Sequence, residues 1–275
     1  MEASAGGYLL NERIGPPRGR MFETWIATRA CREVVVKKLN PGLTHCKALV
    51  DDYSLAARRW RSMEHANIVR VLEVTEAPDY LLAMERVNGK NLREIMSRAG
   101  PLSPSLVRAI IASVAAALSF AHETASSCHG DLRPDNVLIG SDGGVKVVDF
   151  FVARAVRRWT GTTVPGPFTG RGQFSYLGYQ SPEEILGETA DERSEIFILG
   201  ILAHELLTAE RLFDKGYWAG TLDANLRGPI LRPSKSVSGI PEGLEAVVMT
   251  ALDRSPSARF GTMEEMRLLL EDQII

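Results

Sequence analysis

Cysteine is scarce in this chain: Cys31, Cys46 and Cys128 are the only three in 275 residues, widely spaced and with no CxxC pair. That set excludes a disulfide framework and a CxxC zinc site, and reads as reduced, intracellular thiols. A dominant charge is also missing. The 32 Lys and Arg stand against 34 Asp and Glu, for a net charge of −2, so no molecule-wide field draws in nucleic acid or an anionic membrane, and any basic surface must be local. Long apolar runs are absent as well: the longest candidate, Val107 to Ala121, is interrupted by Ser113 and Ser119 and reads as a buried helix, not a membrane span. Met1 to Gly7 is small and polar, without the basic and apolar regions of a secretory signal. No internal repeat or low-complexity tract is visible. The expectation is a cytoplasmic protein with no nucleic-acid partner.

What is present is an ordinary globular composition, 45% hydrophobic, in a chain long enough to bury a sizeable core. From Tyr8 to Arg86 the pattern is strand-like, with β-branched and aromatic clusters at Phe22 to Thr28, Val34 to Leu39, Val69 to Val74 and Tyr80 to Met84. One helical stretch, Ala48 to Met63, interrupts them. Past Gly89 helices dominate. Ser103 and Pro104 form an N-cap and first-turn pair ahead of a helix running through Ala121, Ile196 to Leu207 and Leu244 to Leu252 are apolar helices, and Thr262 with Glu265 predicts a capping box for a last helix. The Pro- and Gly-rich piece from Thr160 to Gly172 reads as a loop. A strand-rich first third and a helical remainder imply two lobes joined near Glu85 to Asn88, with the cleft between them as the ligand site.

The densest chemistry lies in His129-Gly130-Asp131-Leu132-Arg133-Pro134-Asp135-Asn136, followed by Val137-Leu138-Ile139, a turn at Asp142-Gly143-Gly144, and Val145 to Phe150 with Asp149. An aspartate, an asparagine a few residues on and a second aspartate across a hairpin can converge on one point. Phosphoryl transfer from ATP needs such a set: one carboxylate to orient the attacking hydroxyl, and an amide with a second carboxylate to hold Mg²⁺ against the phosphates. Upstream, Val34-Val35-Val36-Lys37 ends on a lysine. Such a lysine is by itself most often a solvated strand end, but here it precedes Met84-Glu85-Arg86-Val87, and Ser181-Pro182-Glu183 and Arg259 follow downstream.

These motifs together resemble eukaryotic-type protein kinases, their bacterial members in particular, from about Tyr8 to about Leu270. The resemblance implies an α+β, bilobal protein kinase fold over residues 8–270, with a small β-rich N-lobe (8–86), a hinge (85–89) and a larger helical C-lobe (90–270). It implies ATP and Mg²⁺ as cofactors. Asp131 would be the catalytic-loop aspartate with Arg133 beside the transferred phosphate, and Asn136 and Asp149 the metal ligands. Ile14, Gly15, Gly19, Lys37, Met84, Glu85, Val87 and Leu138 would bind the nucleotide, His129 would be a packing residue, and Glu183 would pair with a buried Arg259.

The chain departs from that family pattern at several positions. Gly15-Pro16-Pro17-Arg18-Gly19 keeps two glycines, and Phe22 stands at the third, which should loosen or reshape the grip on phosphates. Ala56 falls where a helix glutamate should meet Lys37; Asp149 is the nearest substitute, and Asp52 would require the helix to shift. Phe151 replaces the glycine after Asp149-Phe150, which should restrict flipping of the segment. Gly130 replaces an arginine that reads phosphate on the activation segment, and Glu195 replaces an aspartate that bonds the catalytic loop. Residues 172–177 lack the usual threonine, and Gly178-Tyr179-Gln180 read as about three extra residues. Arg154, Arg157, Arg158 and Arg171 offer two readings, a phosphate- or acid-recognising patch and a solvated face, the second being commoner for loop arginines, and Thr160, Thr162, Thr163 and Thr169 are candidate autophosphorylation sites, unmodified loop threonines being the commoner case.

The sequence therefore reads first as a serine/threonine protein kinase, of weak or atypical activity, acting on a protein substrate. The alternative is a pseudokinase that regulates a partner protein, motivated by Phe22, Ala56 and Phe151. A small-molecule kinase is disfavoured by Ser181-Pro182-Glu183 and Arg259.

Overall fold

Alternation of buried and outward residues in the valine-rich N-terminal strands builds an antiparallel sheet. The computed structural model describes residues 4–14, 21–160 and 178–272, apart from the side chains of residues 157, 158 and 160. Strands β1 (Ser4–Ala5), β2 (Tyr8–Ile14), β3 (Phe22–Arg29), β4 (Arg32–Leu39), β5 (Val71–Thr75) and β6 (Leu81–Glu85) form a six-stranded sheet in the order β1-β2-β3-β4-β6-β5. Val34, Val36, Leu81 and Ala83 point to one face, in a small cluster with Tyr8 and Ala27, whereas Leu39, Leu82 and Met84 join the main core on the other. Helix α1 (Lys47–Arg61) covers that second face with Leu49, Tyr53, Ala57 and Trp60, recurring at helical spacing.

Beyond the extended residues Arg86 to Asn88, the second lobe is mostly helical. β7 (Gly89–Asn91) leads into α2 (Leu92–Ala99), whose capping box is Asn91 with Glu94. Helix α3 (Pro104–Ala125) starts at the expected Ser103 cap and Pro104. It runs 22 residues and is long and apolar enough, by length and composition, to cross a membrane, which corrects the sequence expectation. Here it is a core helix, with Val107, Ile110, Ile111, Val114 and Leu118 fully buried. β8 (Val137–Gly140) and β9 (Val145–Val147) form the expected hairpin and pair with β7. Helix α4 (Val152–Thr160) follows, then α5 (Pro182–Leu186) and α6 (Glu192–Thr208), which is buried on every side from Ser194 onward and is the central strut of the lobe. Helices α7 (Trp218–Arg227), α8 (Glu242–Ala251) and α9 (Met263–Glu271) complete it. Only half of the expected last capping box forms: Thr262 caps the Glu265 N–H, but the Glu265 carboxylate accepts from Gly261 N–H instead.

The lobes are tied by backbone. Ile68 bridges Val147 in parallel, Val69 N–H donates to Val147 O at 2.9 Å, and Asn67 Nδ2 donates to Val145 O at 2.9 Å. Trp60 Nε1 donates to Val69 O at 3.0 Å, so α1 shares this anchor.

Candidate active site

The loop between α3 and β8 is held from below before it can present anything above. His129 is fully buried, its Nε2 lies 3.0 Å from Val148 O, and its Nδ1 accepts the Asp131 N–H at 3.1 Å. Burial pushes its pKa down, fitting the expected packing role. Glu195 of α6 does what a shorter aspartate was expected to do: Oε1 accepts Gly130 N–H at 3.1 Å, while Oε2 meets His122 Nε2 at 2.9 Å. Burial opposes protonation of His122, but its hydrogen bond and charge contact with Glu195 win and raise its pKa. The Cys128 thiol lies in the same group, its pKa raised by burial. Sequence reasoning passed over His122; its place one helix turn before the loop was the available signal.

On this base the expected chemical groups come together. Asn136 Nδ2 donates to Asp131 O at 2.8 Å and to Asp131 Oδ2 at 3.1 Å, and Val148 N–H donates to Asn136 O at 3.0 Å. The catalytic-loop pair is thereby fixed to the strand that delivers Asp149. Lys37, expected to lack a glutamate, forms an ion pair with Asp149 Oδ2, as the sequence suggested for the nearest remaining carboxylate. Ala56 is buried on α1 but lines a different space. Asp52 is engaged elsewhere, accepting from Trp159 Nε1 at 2.6 Å.

Asp149 Oδ1 is buried and has no hydrogen-bond partner among the described residues. A buried carboxylate oxygen left without a partner, on the residue after the Val148 N–H that donates to Asn136 O, is a hard donor of the kind that suits Mg²⁺.

The nucleotide-side residues fall on neighbouring strands. Ile14 pairs with Thr24, Thr24 with Lys37 and Lys37 with Leu82, placing Ile14 and Lys37 in one cross-strand row. Met84 is buried at the end of β6, Val87 is half-buried in the connection, and Leu138 is half-buried on β8. The Glu85 side chain turns away to Lys146 Nζ at 2.7 Å and Arg70 N–H at 3.0 Å, and its own N–H donates to Arg70 O at 2.9 Å, so its side chain and N–H are both engaged. Gly15 and Gly19 lie outside the described residues, as do 161–177 with Arg171 and the threonines at 162, 163 and 169. Phe22 sits with its ring 5.3 Å from Lys37 Nζ and 5.8 Å from the ring of Tyr53. Tyr53 is thus an α1 side chain that meets this group. Burial, and then the charge of Asp149, raise its pKa. Sequence analysis did not single it out, although it lies on the same helix face as Ala56.

Arg133 is turned sideways, its Nε 3.0 Å from Asp135 Oδ2. Beyond it, Tyr179 donates to Glu205 Oε2 at 2.5 Å and accepts from Arg93 Nη2 at 3.1 Å. It is 5% exposed, so the residues read as an insertion anchor the floor of the site. Glu183 and Arg259 make the expected buried pair, at 2.7 and 3.0 Å. A cavity of about 690 Å³, large enough for several side chains, opens between α1, α4 and the catalytic loop, reached by Asp131, Arg133, Phe151 and Tyr179.

The profile of the protein kinase domain matches residues 19–268. The chain is 33% identical over 256 residues to serine/threonine-protein kinase PknB of Mycobacterium leprae, covering 90% of this chain and 40% of that protein. It is 34% identical over 267 residues to PknB of Mycolicibacterium smegmatis, covering 94% and 42%. The chain thus spans about two-fifths of the length of these curated relatives. Among solved structures, the Mycobacterium tuberculosis PknI kinase domain superposes with a TM-score of 0.73 at 21% identity, over 99% of this chain and 98% of that one, a likeness of fold.

Proposed function

The chain belongs to the protein kinase domain family, and from that membership we propose that it transfers the γ-phosphoryl group of ATP to serine or threonine hydroxyls of a protein substrate. The observation that supports this best is the convergence of Lys37, Asp131, Asn136 and Asp149, with one oxygen of Asp149 buried and unused.

Each residue has a part that its surroundings support. Asp131, held by His129 and Asn136, orients the acceptor hydroxyl and receives its proton as the oxygen–phosphorus bond forms and ADP leaves. Lys37, a compact ammonium on a flexible stem, engages the nucleotide phosphates and keeps Asp149 in place. Arg133 supplies positive charge beside the transferred group. Asp149 and Asn136 would hold Mg²⁺, which when bound neutralises charge on the phosphates. Ile14, Met84, Val87 and Leu138 frame the base, with Glu85 contributing its backbone carbonyl only. In this chemistry positioning and electrostatics are most of the catalysis, so the absence of a glutamate at Ala56 is tolerable while Asp149 serves Lys37.

The test is thermal stabilisation by ATP with and without Mg²⁺, run beside phosphate transfer to a generic protein acceptor, for the wild type and Asp131→Asn. Saturating nucleotide raises the melting temperature of a protein that binds it. Mg²⁺-dependent stabilisation with transfer lost in the variant supports the reading. A wild type that neither binds nor transfers overturns it in favour of a non-catalytic, partner-binding role.

A further inference from the structure

The end of α3 folds a second polar cluster together beneath the catalytic loop. Ser126 caps the helix in the left-handed region, with φ +47°, and its N–H donates to His122 O at 2.9 Å. The chain reverses there, which brings Cys128 back beside the last helical turn and His122. Glu195, in the first turn of α6, arrives from the other side with its Oε2 2.9 Å from His122 Nε2. The ligating atoms of His122, Cys128 and Glu195 all lie within 4.8 Å of one another; Cys128 and Glu195 are buried and His122 is half-buried.

We propose that His122, Cys128 and Glu195 form a site for a divalent transition cation of the Zn²⁺ class, which clamps the end of α3 and the start of the catalytic loop to α6. A thiolate sulfur, an imidazole nitrogen and a carboxylate oxygen suit Zn²⁺ and not Mg²⁺, which takes oxygen ligands. Tetrahedral zinc bonds set ligand atoms roughly 3.3–3.7 Å apart, so the His122–Glu195 contact opens and the thiol closes in by about 1 Å or less. The Cys128 thiol proton, and the Nε2 proton of His122 where it is present, pass to solvent as the metal bonds form. Thiolate and carboxylate then cancel the two charges of the cation, leaving no net charge in a buried place. Glu184 and Asp191 act on the thiol and Glu192 and Asp191 on the imidazole, a field that favours a cation, with Arg154, whose stem lies on Gly130, opposing it. The other Glu195 oxygen accepts Gly130 N–H at 3.1 Å, which fixes the carboxylate as the outer hydrogen bonds of metal sites do. Cys128 also lines the cavity of about 690 Å³, which gives the cation an entrance and a water molecule room to fill the fourth position.

The experiment uses Cys31→Ser/Cys46→Ser, which removes the two exposed thiols and leaves Cys128 as the sole cysteine. This protein, stripped of metal by a chelator, is titrated with Co²⁺ as a coloured stand-in for Zn²⁺, and with Zn²⁺ while its melting temperature is followed. One equivalent of Co²⁺ is expected to give an intense near-ultraviolet thiolate-to-cobalt band, which Zn²⁺ then displaces, and Zn²⁺ is expected to raise the melting temperature. In that background Cys128→Ser should abolish the band. Cys128→Ser and His122→Gln should each weaken Zn²⁺ binding by about 100-fold or more, since loss of a supporting hydrogen bond alone costs about 10–100-fold. No thiolate band in the single-cysteine protein overturns the site, a result that needs no ligand variant to fold. Zn²⁺ stabilisation undiminished in both ligand variants overturns it too, leaving the three residues as a packing cluster. None of the three ligands holds the nucleotide, so the titration reads the same whether or not the chain transfers phosphate.

Discussion

Replacing Arg259 by methionine removes a guanidinium whose side chain is 0% exposed against a Glu183 side chain at 6%. Besides the two bonds to Glu183, Arg259 donates to three backbone carbonyls: Arg193 at 2.7 Å, Asp253 at 2.6 Å and Arg254 at 3.1 Å. Methionine fills much of the volume and satisfies none of them. Breaking a buried pair on one side costs roughly 3–5 kcal/mol, because the remaining charge is left uncompensated. For a domain of this size that corresponds to a fall of about 6–20 °C in melting temperature. The pH dependence gives the sharper check. Burial alone would raise the Glu183 pKa, but the hydrogen bonds from Arg259 and Ser194 outweigh it and hold it below the ordinary value. In the wild type its contribution is therefore present above the unfolded carboxyl pKa and is lost as pH falls through the depressed folded one. In Arg259→Met the unpaired buried carboxylate shifts upward and is relieved by protonation, so the gap between the proteins should narrow as pH falls from about 7.5 to about 5. Glu183→Gln added to Arg259→Met should recover part of the loss. Denaturation curves showing a cost under about 1 kcal/mol, or a gap constant across that pH range, refute the reasoning.

Two further outcomes follow from the site. Lys37→Met takes the cation from Asp149 and from the phosphates together, so Mg²⁺-ATP should no longer raise the melting temperature and transfer should fall on the order of 100-fold or more; wild-type nucleotide stabilisation in that variant would count against the assigned role. His122 has a raised pKa, set against burial by Glu195 with Glu192 and Asp191 adding to it. Its stabilisation is therefore complete below the unfolded histidine pKa and is lost as pH rises through the folded one. Wild-type stability should decline on that alkaline side and the His122→Gln profile should be flatter there; parallel pH profiles would show that the pair is not coupled to folding.

Much of this architecture is legible in the sequence because the signals are local. The valine alternation of β4, the Ser103-Pro104 start of α3 and the apolar density of α6 fix those elements within a few residues. The residues from His129 to Asp149 are legible for a related reason: a loop and a hairpin close in sequence determine their own geometry. Lys37 and Asp149 meet across two lobes, yet the pairing could be anticipated because removing one carboxylate left few others in reach. Helix α4 was not anticipated. Its apolar residues Val152, Val156 and Trp159 do recur on one helix face, but three arginines dilute the pattern, and only packing against α1 decides for helix over loop. Arg154, read as part of a solvated face, is exposed at its head while its stem covers Gly130.

The fit of Arg154 against Gly130 also constrains how such a chain can diverge. Gly130 has φ +79°, a conformation that L side chains rarely adopt, and its α-carbon is walled by the stem of Arg154. An arginine placed at position 130 would meet Arg154 with its first carbon. Arg154 would have to be small, or α4 would have to move, before a side chain there could be accommodated. The two positions are thus sterically coupled: what can stand at 130 depends on the size of residue 154 and on where α4 lies.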